Sequence, residues 1–119
     1  MKVMLIEDDR TMRAILKTLL ELEHFNVSSW NGQAGEEIIS QIRAEHPEVL
    51  LLDVHLRSIS GIDILRQIRA DLELSTMNVL MTSGMDLKDQ CMEAGADGFL
   101  LKPYMPDDLI QLIRAQVPK

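Results

Sequence analysis

Four short apolar runs of this chain end in residues that can do chemistry. Glu7, Asp8 and Asp9 follow residues 3–6, and Asp53 follows residues 49–52. Thr82, Ser83 and Gly84 follow residues 78–81, and Lys102 and Pro103 follow residues 98–101. Taken singly, each has an ordinary explanation. Asp9 suits a helix N-cap, Asp53 and Ser83-Gly84 suit turns, and Lys102-Pro103 suits a solvated loop. Taken together they demand more. Glu7, Asp8 and Asp53 brought to one edge would repel each other and raise their pKa values unless a cation sat among them. Three all-oxygen donors suit a hard, partly hydrated divalent ion such as Mg²⁺ (or Mn²⁺), completed by a phosphate oxygen. One lysine and one hydroxyl then supply the point charge and the donor that a tetrahedral anion needs. The constellation points to phosphoryl chemistry.

The elements that must position these groups follow from hydrophobic periodicity. β-rich apolar runs occupy residues 3–6, 25–28, 49–52, 78–81 and 98–101. Between them lie helical stripes: Met12, Ile15, Leu16, Leu19 and Leu20; then Ile38, Ile39 and Ile42; then Ile62, Leu65, Ile68 and Leu72. A fourth helix is predicted over residues 86–94, stopped by Gly95. A fifth carries Leu109, Ile110, Ile113 and Val117, with Pro106 at its first position and Asp107 and Asp108 in its first turn. Trp30 is expected in the loop after the second strand. Residues 3–6 and 49–52 do not alternate polar with apolar, as expected of strands buried on both faces. The fold class is therefore α/β, a parallel sheet with helices on each side, which binds ligands beyond the carboxyl ends of its strands.

Composition narrows the class further. A chain of 119 residues, 46% of them hydrophobic, is expected to make one domain over 1–119 with a single core. No apolar run is long enough to span a bilayer, and the start is too short and too soon acidic for a secretory signal. One cysteine, Cys91, cannot form an internal disulfide and fits a reducing cytoplasm. A net charge of −7 with no basic stripe argues against nucleic acid. His24, His46 and His55 are too dispersed for zinc. Of eight methionines, Met4, Met12 and Met81 suit the core, whereas Met85, Met92 and Met105 are expected to be more exposed.

The set Glu7-Asp8, Asp53, Ser83 and Lys102-Pro103, together with Gly61 and the stretch from Gly95 to Pro103, resembles the receiver domain of bacterial two-component response regulators. The resemblance runs over essentially the whole chain. It implies a flavodoxin-like (βα)5 fold, a doubly wound sheet of five parallel strands. It also implies that Asp53 is the nucleophile taking a phosphoryl group from a histidine kinase or phosphotransfer protein. Asp8, Asp53 and the His55 backbone carbonyl would bind Mg²⁺, with Glu7 acting through a water. Lys102 would neutralise a phosphoryl oxygen, Ser83 would move to bond another, and Phe99 would be the aromatic switch. Lys102–Pro103 becomes a candidate cis peptide. Such a domain is a switch rather than an enzyme, although it assists its own phosphorylation and dephosphorylation. Its output would be a downstream protein, a homodimer or a fused domain, through the face made by the last two strand–helix units.

Several positions depart from the commonest pattern of that family. Glu7 stands where Asp is usual, Arg57 where proline is common, Ser83 where Thr is commoner, and Gly84 where alanine is usual. Phe99 lacks a tyrosine hydroxyl, and Met85 and His55 fall at positions associated with rate setting. The stretch from Ser83 to Lys102 is shorter than usual by roughly one helical turn, so the fourth helix or the loop before it must be truncated. Three other functions compete. A haloacid-dehalogenase-type phosphatase wants a second Asp where His55 stands, together with extra length for a cap. A phosphorylation-independent interaction module usually loses an acid, the lysine or the phosphoacceptor, all kept here. A flavodoxin-like cofactor binder wants a phosphate loop after the first strand, which is absent.

Overall fold

The computed structural model describes residues 1–30, 35–57 and 59–116. Its elements alternate throughout: β1 (Lys2–Ile6), α1 (Arg10–Leu22), β2 (Asn26–Trp30), α2 (Gly35–Glu45), β3 (Val49–Asp53), α3 (Gly61–Ala70), β4 (Asn78–Ser83), α4 (Lys88–Glu93), β5 (Gly98–Leu101) and α5 (Pro106–Ala115). The five strands form one parallel sheet in the order β2-β1-β3-β4-β5. Strand order reverses between β1 and β3, so a crevice opens beyond their carboxyl ends.

The central strands are apolar because each supplies side chains to both faces. Met4 and Ile6 of β1 join Leu50 and Leu52 of β3 under Ile38, Ile42, Ile64, Leu65 and Ile68 from α2 and α3. The intervening Val3, Leu5, Val49 and Leu51 pack on the opposite face, against Leu16 and Leu20 of α1 and Leu109, Ile110 and Ile113 of α5. The caps expected from the sequence are present. The Asp9 side chain accepts from Met12 N–H at 3.0 Å, and Pro106 opens α5. Gly95 takes φ +107° just after α4, where a side chain would be strained.

Several expectations need correction. β2 covers Asn26–Trp30 rather than residues 25–28, since it pairs along the whole of β1, Lys2 with Asn26 through Ile6 with Trp30. Trp30 is thus the last residue of a strand and not a loop residue, and it packs against the α2–α3 side of the core. Leu72 is 97% exposed and lies beyond α3, because Asp71 turns the chain by accepting from Glu73 N–H at 2.9 Å; Leu74 fills the core position instead. Ile15 is also half exposed. The fourth helix starts at Lys88, two residues later than expected, and is only six residues long. Val117 lies outside the described residues.

One close approach ties α3 to the strand that precedes it. A Cβ added at Gly61 would run into the backbone carbonyl of Asp53, while one added at Gly84 would meet nothing within 4 Å. Gly61 N–H also donates to Val54 O at 2.7 Å, which closes the loop after β3. Gly61→Ala is therefore expected to destabilise the chain by about 1–3 kcal/mol. Gly84→Ala should stay within about 0.5 kcal/mol. Urea denaturation of the two variants side by side checks the contrast.

Candidate functional site

Asp53 closes β3, Glu7 and Asp8 follow β1, Ser83 closes β4, and Lys102 follows β5. Register then brings these strand ends level. Asp53 is paired with Thr82, Ser83 is paired with Leu101, and Lys102 N–H donates to Ser83 O at 2.8 Å. Glu7, Asp53 and Ser83 are buried, with relative exposures of 5%, 6% and 0%. Carboxylate oxygens of Glu7, Asp8 and Asp53 all lie within 4.8 Å of one another.

A single ammonium group sits among them. Lys102 Nζ donates to Glu7 Oε1 at 2.9 Å and to Asp53 Oδ2 at 3.2 Å. The other oxygen of Asp53 accepts from His55 N–H at 3.2 Å. Arg13 Nη1 anchors the turn after β1 by donating to Glu7 O at 2.6 Å. The half-buried Asp8 faces the exposed guanidinium of Arg57 at 3.8 Å, a distance and setting that contribute little energy. Ser83 Oγ accepts from Met85 N–H at 3.0 Å. Phe99 is half buried and packs on the α2–α3 side of the core, and Lys102–Pro103 is cis.

Burial and charge balance together set the electrostatics. Burial, then a hydrogen bond shared with Asp53, pushes the Glu7 carboxyl up to about 7, against the opposing pull of Lys102. For Lys102, burial works to lower the pKa, but the hydrogen bond to Glu7 and the charges of Asp53 and Glu7 outweigh it and the net direction is up. The Glu7 carboxyl is raised by burial first, and the neighbouring Asp53 adds to it. The donor set is all oxygen, carries surplus negative charge and is partly open at Asp8, so it fits a divalent ion such as Mg²⁺.

The structure thus gathers Glu7, Asp8, Asp53, Ser83 and Lys102 at one edge, as the strand-end positions predicted. Two neighbours went unassigned in the sequence. Tyr104 has its hydroxyl buried without a partner, and burial pushes its pKa to about 12. No motif marks it; only its position two residues after Lys102 hinted at proximity. With Met12, Ile15, Leu16 and Leu19 of α1 it lines an apolar cleft of about 490 Å³ that adjoins Lys102. Arg57 was noticed as a departure, and its approach to Asp8 could have been inferred from a lone basic residue beside an acidic edge.

Residues 3–114 match the family model described as "Response regulator receiver domain". The cell cycle transcriptional regulator CtrA of Caulobacter vibrioides is 35% identical over 98% of this chain and 50% of its own length. A nitrate/nitrite response regulator protein homolog of Haemophilus influenzae is 36% identical over 96% of this chain and 55% of its own. This chain therefore spans about half the length of the curated relatives it matches. The BeF3-activated receiver domain of Klebsiella pneumoniae RstA superposes with a TM-score of 0.89 over 100% of both chains, at 21% identity, a likeness of fold.

The raised Glu7 carboxyl has a measurable consequence. With its pKa at about 7 in the folded chain and the ordinary 4.5 when unfolded, the folded state binds more protons than the unfolded one between those limits. Stability of the metal-free chain should thus fall as pH rises from about 4.5 through about 7. Glu7→Gln should flatten that fall. Urea midpoints of both chains across this range, in EDTA, provide the check.

Proposed function

The chain belongs to the response regulator receiver family of two-component systems, and from that premise we propose that Asp53 is its phosphoacceptor. The observation that carries this reading is the Asp53 carboxylate, buried yet held in place by Lys102 Nζ and His55 N–H beside two further acids. One Asp53 oxygen forms a bond to phosphorus while the bond from phosphorus to the nitrogen of a phosphohistidine breaks. The donor imidazole, on a histidine kinase or phosphotransfer protein, leaves with the electron pair. The reaction belongs in the cytoplasm, and the domain is a regulatory switch.

The residues divide the work by charge. Asp8, Asp53 and the His55 carbonyl, with Glu7 through a water, would hold Mg²⁺ (or Mn²⁺), which supplies neutralising charge when bound. Lys102, already within reach of Asp53, needs only to exchange its contact with Asp53 Oδ2 for a phosphoryl oxygen. Phosphoryl transfer asks chiefly for positioning and charge neutralisation, and a lysine held on a neighbouring strand end contributes both.

The switching step falls to Ser83. Its hydroxyl must give up Met85 N–H to reach the phosphoryl group, and doing so releases the loop of residues 84–87. Gly84, with open space on its Cβ side, leaves that loop free to rearrange. Phe99 lies on the neighbouring edge strand, where its half-buried ring can turn inward as the loop moves.

Incubation with Mg²⁺ and acetyl phosphate should add one phosphate to the chain, detected by mass and removed by hydroxylamine. Asp53→Asn and EDTA should each abolish the gain. Ser83→Ala should still take up phosphate but lose most of the accompanying change in the amide spectra of residues 84–101. No uptake by the natural chain, with Mg²⁺ bound, would favour a phosphorylation-independent interaction module instead.

A further inference from the structure

A basic side chain stands at the mouth of the carboxylate pocket. Arg57 lies on the loop that leaves β3 after Asp53, and its side chain is 85% exposed. That loop is short and closed at its base, because His55 bridges Ser60 and Gly61 N–H donates to Val54 O at 2.7 Å. Arg57 is thereby kept within reach of the pocket by the strand that carries Asp53 itself. Its Nε lies 3.8 Å from Oδ2 of Asp8, the least buried of the three acids. Glu7 and Asp53 are buried, so the approach from solvent runs past Asp8. A contact this long and this exposed holds little energy, and the guanidinium can leave it at small cost.

We infer that Arg57 is a substrate-binding residue, which exchanges Asp8 for the phosphoryl group of the incoming donor. This inference rests on the reading of Asp53 as phosphoacceptor. The chain carries a net charge of −7, which repels a dianionic donor such as an acyl phosphate. Inside the pocket the charges cancel once Lys102 and a divalent ion are set against Glu7, Asp8 and Asp53. Arg57 is then the surplus positive charge that the donor meets at the rim, and its planar fork of N–H groups suits phosphoryl oxygens. Asp8 turned toward such an ion no longer holds Arg57, so the guanidinium is released as the pocket becomes ready for the donor. With an acyl phosphate, an Asp53 oxygen bonds phosphorus while the bond from phosphorus to the acyl oxygen breaks. The carboxylate product leaves with the electron pair.

Initial rates of phosphorylation of the full chain by acetyl phosphate, at saturating Mg²⁺, test this. Arg57→Ala should raise the half-saturating donor concentration about threefold at low salt and leave the maximal rate unchanged. The difference should vanish by about 0.5 M salt, where exposed charges are screened. Arg57→Lys, which keeps the charge without the fork, should recover part of it. Inorganic phosphate transfers nothing and gives a second readout: its amide shifts on residues 53–57 should need about threefold more phosphate in Arg57→Ala. With no donor present, the same variant should bind Mg²⁺ about twofold tighter, because Asp8 has lost a competing cation. An unchanged half-saturating concentration, a lowered maximal rate, a difference that persists at high salt, or equal Mg²⁺ midpoints would each overturn the proposal. Failure of the natural chain to take phosphate would count against Asp53, and the phosphate and Mg²⁺ titrations would still decide the role of Arg57.

Discussion

Lys102 is one ammonium group set against three carboxylates at the ends of β1 and β3, whose residues 3–6 and 49–52 are all apolar. Beneath it, β1 and β3 bury every side chain from Val3 to Ile6 and from Val49 to Asp53. Electrostatic forces at such a place are little screened, so the surplus negative charge cannot be ignored. Together with burial, which contributes most, it holds the Glu7 carboxyl up to about 7. A divalent cation and the lysine would complete the balance in different ways. On the proposed reading, a cation would lower the charge of the acids, and the lysine would follow the phosphoryl group. The rest of the fold serves to hold these groups at fixed separation.

This dependence explains which parts of the molecule were legible from residues alone. Val49-Leu50-Leu51-Leu52 cannot be a surface strand, so Asp53 had to lie at the exit of a buried one. The same logic placed Glu7 and Lys102, because a strand end is a position along the chain and needs no knowledge of side-chain direction. Strand β2 was read two residues out of place because it is an edge strand with an exposed Asn26. Its limits are set by pairing with β1 rather than by its own apolar pattern. Leu72 was misplaced for a related reason. Helical spacing continues past Ala70 in the sequence, but Asp71 pairs with Arg43 at 2.7 Å and turns the chain away.

Arg69 shows what periodicity cannot reveal. From α3 its guanidinium donates to Gly95 O at 2.8 Å, Ser75 O at 3.0 Å and Met77 O at 2.7 Å, and to Asp97 Oδ2 at 2.9 Å. Asp97 Oδ2 in turn accepts from Val79 N–H at 2.8 Å. One side chain thereby satisfies three backbone carbonyls from two separate loops, a pattern invisible until the loops meet. As a charge on a helix it reads as a solvated residue, whereas in the fold it joins α3, β4 and the turn before β5.

That junction also fixes one end of the short α4. The C-terminal end of α4 is held by Ala96 N–H donating to Cys91 O at 3.0 Å and by the Arg69 bonds to the turn that follows. Its N-terminal end has no side-chain cap, and the loop leading to it depends on Ser83 Oγ and Asp86 Oδ1 as acceptors. Withdrawing the Ser83 hydroxyl removes a tether at the free end, next to Met85, and leaves the pinned end where it was. The lightly tethered segment, residues 84–88, is thus the one that meets the carboxylate pocket through Ser83.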